Sequence, residues 1–426
     1  MRVLMAHDQK LREIWDRRQD PEAARKVETI IAEVRKNGDR ALLELTRTFD
    51  GVDLEDSGLA VSPEEIPRAL EEVGADFRAL LEEAAARIKS YHQAQLAGSW
   101  WQAQGGGRLL GQLVRPIKRV GIYVPGGTAP LASSVLMNAI PAKVAGVKEV
   151  VMVTPPGKDG RVSPTVLAAA AIAGVSEVYR VGGAQAIAAL AYGTGTIRPV
   201  DKITGPGNLY VTLAKQLVFG QVGLDMLAGP SEVLVVADDS ASPGWLAADL
   251  LSQAEHDPLA AAVLLTPSRK IIDGVQAELT RQLKTLPRRE IAGRSLEDHG
   301  ALVLTASLNE ALELANSLAP EHLELAVAEP FSWLDKVENA GTVFLGHFTP
   351  EPLGDYLAGS NHILPTLGSA RFSSPLGTLD FLKRTAVVYY GAEASAEDAG
   401  RVAAFARAEG LEAHARSAEA RKEERP

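Results

Sequence analysis

Arg119-Val120-Gly121-Ile122-Tyr123-Val124, running into Pro125-Gly126-Gly127-Thr128, is an apolar stretch closed by a glycine turn, and its reading decides the fold. An apolar run without polar alternation predicts a strand covered on both faces. The texture then repeats: strand 119–124, helix 131–146, strand 149–154, helix 163–173, strand 177–181, helix 184–192, strand 200–203 and helix 208–219. Such alternation means a parallel sheet wrapped by helices. A second series follows, with strands at 232–237, 261–266, 301–305, 322–327 and 342–346 and helices at 243–256, 269–285 and 308–317. The expected fold is therefore α/β, with two Rossmann-like parallel-sheet domains and a cleft between them.

Outward from these units, residues 8 to about 98 keep the helical period, as in the stretches starting at Pro21 and Asp76. From about 377 the chain again reads as helical, interrupted at Gly410, and is too polar to form a core alone. The division expected is a helical N-terminal arm (1–20), a discontinuous main α/β domain (21–124 plus 231–376), a Rossmann-like domain (125–230) and a helical C-terminal tail (377–426) that packs elsewhere or on a partner.

The totals narrow the function. A chain of 426 residues, 46% hydrophobic and 23% charged, can bury substantial cores. Its net charge of −10 and lack of a basic stripe exclude a nucleic-acid protein. Zero cysteines exclude disulfides, thiolate ligands and covalent thiol catalysis, so any metal must take N and O ligands. No run approaches a membrane span and the N-terminus has no signal-peptide pattern, which predicts a cytoplasmic protein.

Chemistry gathers at few places. Gln253 and His256 lie three apart on a helical pattern and form half of a candidate metal site, although such a pair alone is more often structural. Among the eight histidines, His322 stands beside Glu321 as a candidate acid/base pair, and His414 and Asp355 could add metal ligands. His7, His92, His299 and His347 have no such context. Three glycine loops after predicted strands, at Pro125–Thr128, Gly182–Gln185 and Thr204–Asn208, suit a nucleotide, yet none completes the usual dinucleotide fingerprint.

Taken in order, Val120–Gly127, Val181–Ala188, Gly205-Pro206-Gly207-Asn208, Ala228–Val233, Asp249–His256, Pro320-Glu321-His322-Leu323, Gly354-Asp355-Tyr356 and Ser360–Thr366 resemble the histidinol dehydrogenase family over roughly residues 20–416. The resemblance implies an NAD-dependent, zinc-containing homodimer with intertwined subunits that oxidises L-histidinol through L-histidinal to L-histidine. It implies Gln253, His256 and Asp355 as zinc ligands from one subunit and His414 from the other. Ser231, Gln253, His256, Glu321, His322, Asp355, His362, Glu409 and His414 would meet the substrate, and Tyr123, Gln185 and Asn208 would hold NAD.

On that reading His322 is the general base and Glu321 activates water for the aldehyde step, since the missing thiol forces a gem-diol or imine route. Two other readings stay open on residues alone. One is a metal-dependent hydrolase using Gln253, His256, Asp355 and His414. The other is a relative oxidising a different amino or sulfonated alcohol.

Overall fold

The computed structural model describes residues 1–15, 21–126 and 130–423, so Gly127 and Thr128 of the first glycine loop lie outside the described residues. The predicted alternation forms two parallel sheets. The first runs in the spatial order Glu177–Arg180, Glu149–Thr154, Arg119–Tyr123, Lys202–Thr204, Gly223–Leu224. The chain leaves the central Arg119–Tyr123 strand first to one side and then to the other, which opens a crevice at the carboxyl ends of the strands.

The second sheet has the order Arg2–Met5, Gly300–Leu304, Ala261–Thr266, Glu232–Ala237, His322–Ala326, Thr342–Leu345, again all parallel. Strands Glu232–Ala237, Ala261–Thr266 and His322–Ala326 are buried along their whole length, as apolar runs with helices on both faces must be.

Three expectations change. Residues 1–20 are not simply a helical arm: Arg2–Met5 is an edge strand of the second sheet, and only Gln9–Trp15 is helical before residues 16–20, which lie outside the described residues. A four-residue strand with one buried side chain, Leu4, carries too little pattern to be seen in sequence.

The helices of residues 21–93 pack mainly on the first sheet, although Arg87 also reaches the Leu357 carbonyl and His92 meets Asn361. Val27, Ile31 and Leu42 of the Pro21–Asn37 and Asp39–Asp50 helices pack with Val151, Val153 and Ile203 on one face. Leu81 and Ile88 of the Ala75–Gln93 helix pack with Ile122 and Met152 on the other. Strands apolar on both faces need two helical layers, and the upstream helices complete them.

The tail is not helical throughout. Leu382–Tyr390 pairs antiparallel with Arg108–Pro116, which also pairs with Trp100–Gly105, in a third sheet. Only then come the helices Ala392–Ala408 and Glu412–Glu423, which share a small core of Ala403, Ala406 and Ala415. Arg108 ties this arm to the sheet through Glu397 at 2.8 Å and Asp398 at 2.9 Å. Trp100, Trp101, Val388, Tyr389, Val402 and Phe405 remain exposed along it.

Candidate active site

The chemical cluster sits at the amino edge of the second sheet, not at the carboxyl edge where open sheets usually bind. His322 opens its strand beside the first residues of Glu232–Ala237, with His322 in register with Val233. The Pro243–Ala254 helix follows Glu232–Ala237 and runs back against it, which returns its last turn to the amino edge. Asp355 arrives on the short Glu351–Tyr356 helix.

His322 is 4% exposed, and its Nδ1 lies 2.8 Å from the Glu232 carbonyl oxygen. A carbonyl only accepts, so Nδ1 carries the proton and Nε2 keeps a lone pair. That Nε2 is buried without a hydrogen-bond partner among the described residues. Burial pulls the imidazole below its ordinary value, against the charge of Asp355, so the neutral base form prevails. Glu321 accepts the Glu232 N–H at 2.8 Å, and its Oε2 stands 3.6 Å from His322 Nδ1.

His322, Glu351 and Asp355 bring ligand atoms within 4.8 Å of one another. Burial and then the Asp355 charge push the Glu351 carboxyl up to about 10, so it is a proton donor to Asp355. Burial acts to raise the Asp355 carboxyl, but the hydrogen bond and proximity of His362 outweigh it and hold the group well below the usual carboxylate range. His362 Nδ1 donates to the Asp355 carbonyl at 3.2 Å, and its Nε2 meets Ser134 Oγ at 3.3 Å, linking the second sheet to the first.

Gln253 is 1% exposed, and neither its Oε1 nor its Nε2 has a partner among the described residues. A buried amide left unpaired on both ends is costly unless something else takes it up, and an oxygen donor facing a cation does so. His256 is exposed in the turn after the helix, close enough for its charge to act on His322. Ser231 immediately precedes Glu232, and its carbonyl accepts the Ala261 N–H at 3.0 Å. Ser231, Glu321 and His322 thus lie at the amino edge of the sheet, His362 meets Asp355 there, and Gln253 and His256 stand at the end of the neighbouring helix; His256 is not part of the tight cluster of His322, Glu351 and Asp355.

Glu409 and His414 are not brought there within this chain. Both are exposed at the junction of the two arm helices, where the His414 N–H bonds to Leu411 O at 3.1 Å.

Tyr123, Gln185 and Asn208 line one cavity of about 1280 Å³ at the carboxyl edge of the first sheet, with Gly126, Gly183 and the Thr154–Pro156 turn. The Tyr123 hydroxyl accepts the Gly183 N–H at 3.1 Å, and burial pushes it up to about 12. Asn208 Oδ1 accepts the Val211 N–H at 3.1 Å and caps the helix behind the loop.

Sequence reading missed Asp249, Glu324 and Glu351. Asp249 shares a hydrogen bond with buried Glu324, and Glu324 Oε1 accepts the Glu351 N–H at 2.9 Å. The signals were present: Asp249 is one helical turn before Gln253, and Glu324 shares a strand face with His322.

The histidinol dehydrogenase family profile matches residues 15–422. A histidinol dehydrogenase from Moorella thermoacetica is 56% identical over 400 residues, covering 94% of each chain. That of Bacillus subtilis is 53% identical over 400 residues, covering 94% of this chain and 93% of the relative. The crystal structure of histidinol dehydrogenase from Elizabethkingia anophelis superposes with a TM-score of 0.93 at 37% identity, covering 99% and 98% of the two chains. An acetylating aldehyde dehydrogenase from Geobacillus thermoglucosidasius, at 14% identity and a TM-score of 0.50, shares the fold alone. Identity along almost the whole length, a common architecture and the ordered motifs agree: the chain belongs to the histidinol dehydrogenase family.

Proposed function

We propose that this member of the family, an oxidoreductase of histidine biosynthesis, works as a cytoplasmic homodimer that oxidises L-histidinol through L-histidinal to L-histidine with two NAD. The observation that carries the reading is His322: a buried neutral imidazole, its proton committed to the Glu232 carbonyl and its Nε2 without a partner among the described residues.

Gln253, His256, Asp355 and His414 of the partner subunit would hold zinc, and the orphaned Gln253 amide fits that role. When bound, the metal supplies a template and Lewis acidity for the imidazole nitrogen and α-amine of the substrate. Ser231, His362 and Glu409, the last from the partner's tail, would complete the substrate pocket.

His322 Nε2 takes the hydroxyl proton as hydride leaves the carbinol carbon for NAD, giving aldehyde, NADH and one proton. Glu321 then takes a proton from water as it adds to the aldehyde carbon, and protonated His322 returns its proton to the former carbonyl oxygen, giving the gem-diol. His322 again removes a hydroxyl proton while the second hydride leaves, and the carboxylate product results. The chain holds no cysteine, so no thiohemiacetal of the enzyme intervenes. Tyr123, Gln185 and Asn208 would hold the dinucleotide in the cavity they line.

The test is stoichiometry. Metal-reconstituted protein given L-histidinol and NAD should form two NADH per histidine, and lose that on chelation and in His322→Asn. Metal binding without NADH would overturn the reading.

A further inference from the structure

The cavity assigned to the dinucleotide has an acid on its wall that the proposed reaction does not use. Asp50, last residue of the Asp39–Asp50 helix, lines it beside Phe49. Its Oδ2 is buried and has no hydrogen-bond partner among the described residues. Burial raises the carboxyl, and its charge reaches Tyr123 across the cavity. A buried acceptor without a donor is an expensive feature to keep, and a ligand that donates would remove the cost.

The two faces of the first sheet show which part of the dinucleotide arrives there. The reacting end must lie near His322 and His362, and His362 touches Ser134 on the Ala132–Val144 helix. That helix packs with Ile122 and Met152 on one face. The helix bearing Asp50 packs on the opposite face, with Val151 and Val153. With the nicotinamide on the Ser134 side, the far end of the molecule, adenosine, crosses the strand edge to Asp50.

We propose that the Asp50 carboxylate accepts hydrogen bonds from the ribose hydroxyls of the adenosine half and repels a 2′-phosphate, and so sets a preference for NAD over NADP. The inference rests on the NAD-linked reading above. Lys26, Lys158 and Arg161 line the same cavity and suit the pyrophosphate. Without Asp50 the same cations would also suit a 2′-phosphate, which makes the acid the discriminating group.

The experiment compares the metal-loaded wild type with Asp50→Asn, using NAD, NADP and nicotinamide hypoxanthine dinucleotide, which lacks the adenine amine. Asp50→Asn should raise the KM for NAD about 10-fold with kcat within about 2-fold, and shrink the NAD to NADP ratio of kcat/KM by about 10-fold or more. Asp50→Glu should keep part of the preference. An unchanged KM and ratio in Asp50→Asn would overturn the proposal. So would a wild type that loses as much with the hypoxanthine analogue as Asp50→Asn loses with NAD, because the acceptor would then serve the adenine amine.

Calorimetry with ADP-ribose and its 2′-phosphate reads the same preference without turnover. Selective binding abolished by Asp50→Asn, in a protein that does not oxidise L-histidinol, would support Asp50 and overturn the functional reading. Thermal melts of both variants separate loss of preference from loss of fold.

Discussion

Lys215 and Asp225 meet at 2.5 Å with 2% and 0% of their side chains exposed, and between them they take both backbone groups of Gly205. Lys215 Nζ donates to the Gly205 carbonyl at 3.0 Å, and Asp225 Oδ2 accepts the Gly205 N–H at 2.8 Å. The glycine loop that lines the cavity is thus pinned from behind by a buried ion pair.

Removing one partner strands the other charge in the core. Lys215→Met or Asp225→Asn should cost about 3–5 kcal/mol in urea denaturation, and the KM for NAD should rise more than kcat falls. Gly205→Ala should behave alike, because its φ is +112° and a Cβ there would overlap the Tyr123 carbonyl oxygen. Full stability and an unchanged KM in all three would show that the pinning has no effect on the loop.

Gln253 offers a test of metal fit that needs no turnover. Gln253→Leu deletes two buried polar atoms that have no partner among the described residues, so the chelated protein should be unchanged or more stable by about 1–3 kcal/mol. The same variant should lose most of the stabilisation that added zinc gives the wild type, read as a shift in Tm. A zinc-dependent Tm shift equal to that of the wild type would remove Gln253 from the ligand set.

The pH profile follows from His322. Its pKa is lowered, mainly by burial, so the base form is lost only as pH falls below the ordinary imidazole range. The acid limb of kcat/KM should therefore lie below about pH 6.5, and activity should rise with pH through it. In His322→Asn kcat should drop about 10²–10⁴-fold and the limb should vanish. An acid limb retained in the variant would assign it to another group.

Exchange of the tail between subunits can be read by complementation. His322→Asn and His414→Ala homodimers should each be nearly inactive. If each site takes His322 from one chain and His414 from its partner, random reassembly of the two should restore about a quarter of the wild-type activity. No recovery after reassembly would place both histidines of a site in one chain.

The two parallel sheets were legible because their strands are apolar on both faces, as Glu149–Thr154 and Ala261–Thr266 show, and a short run of that kind between glycine turns suits a covered strand better than a helix. The third sheet was not, because its two outer strands are largely exposed and its pairing depends on a partner far along the chain: Leu382 opposite Pro116. The same holds at the sites. Glu321-His322 announces itself by adjacency, whereas Lys215–Asp225 and Asp50 acquire meaning only from what folding puts next to them. Residue pairs joined by the fold leave no local pattern.

The strand Arg2–Met5 pairs with Gly300–Leu304, so it finds its neighbour only after some three hundred more residues have been made. At about 5–20 residues per second that is a wait of about 15–60 s. The first sheet, contained within residues 119–224, can close during this interval, while the second stays open along the flank that Arg2–Met5 will cover. That edge of the second sheet therefore closes on a strand made long before its partner, and a change that weakens Arg2–Met5 would act on a late step of maturation, not an early one.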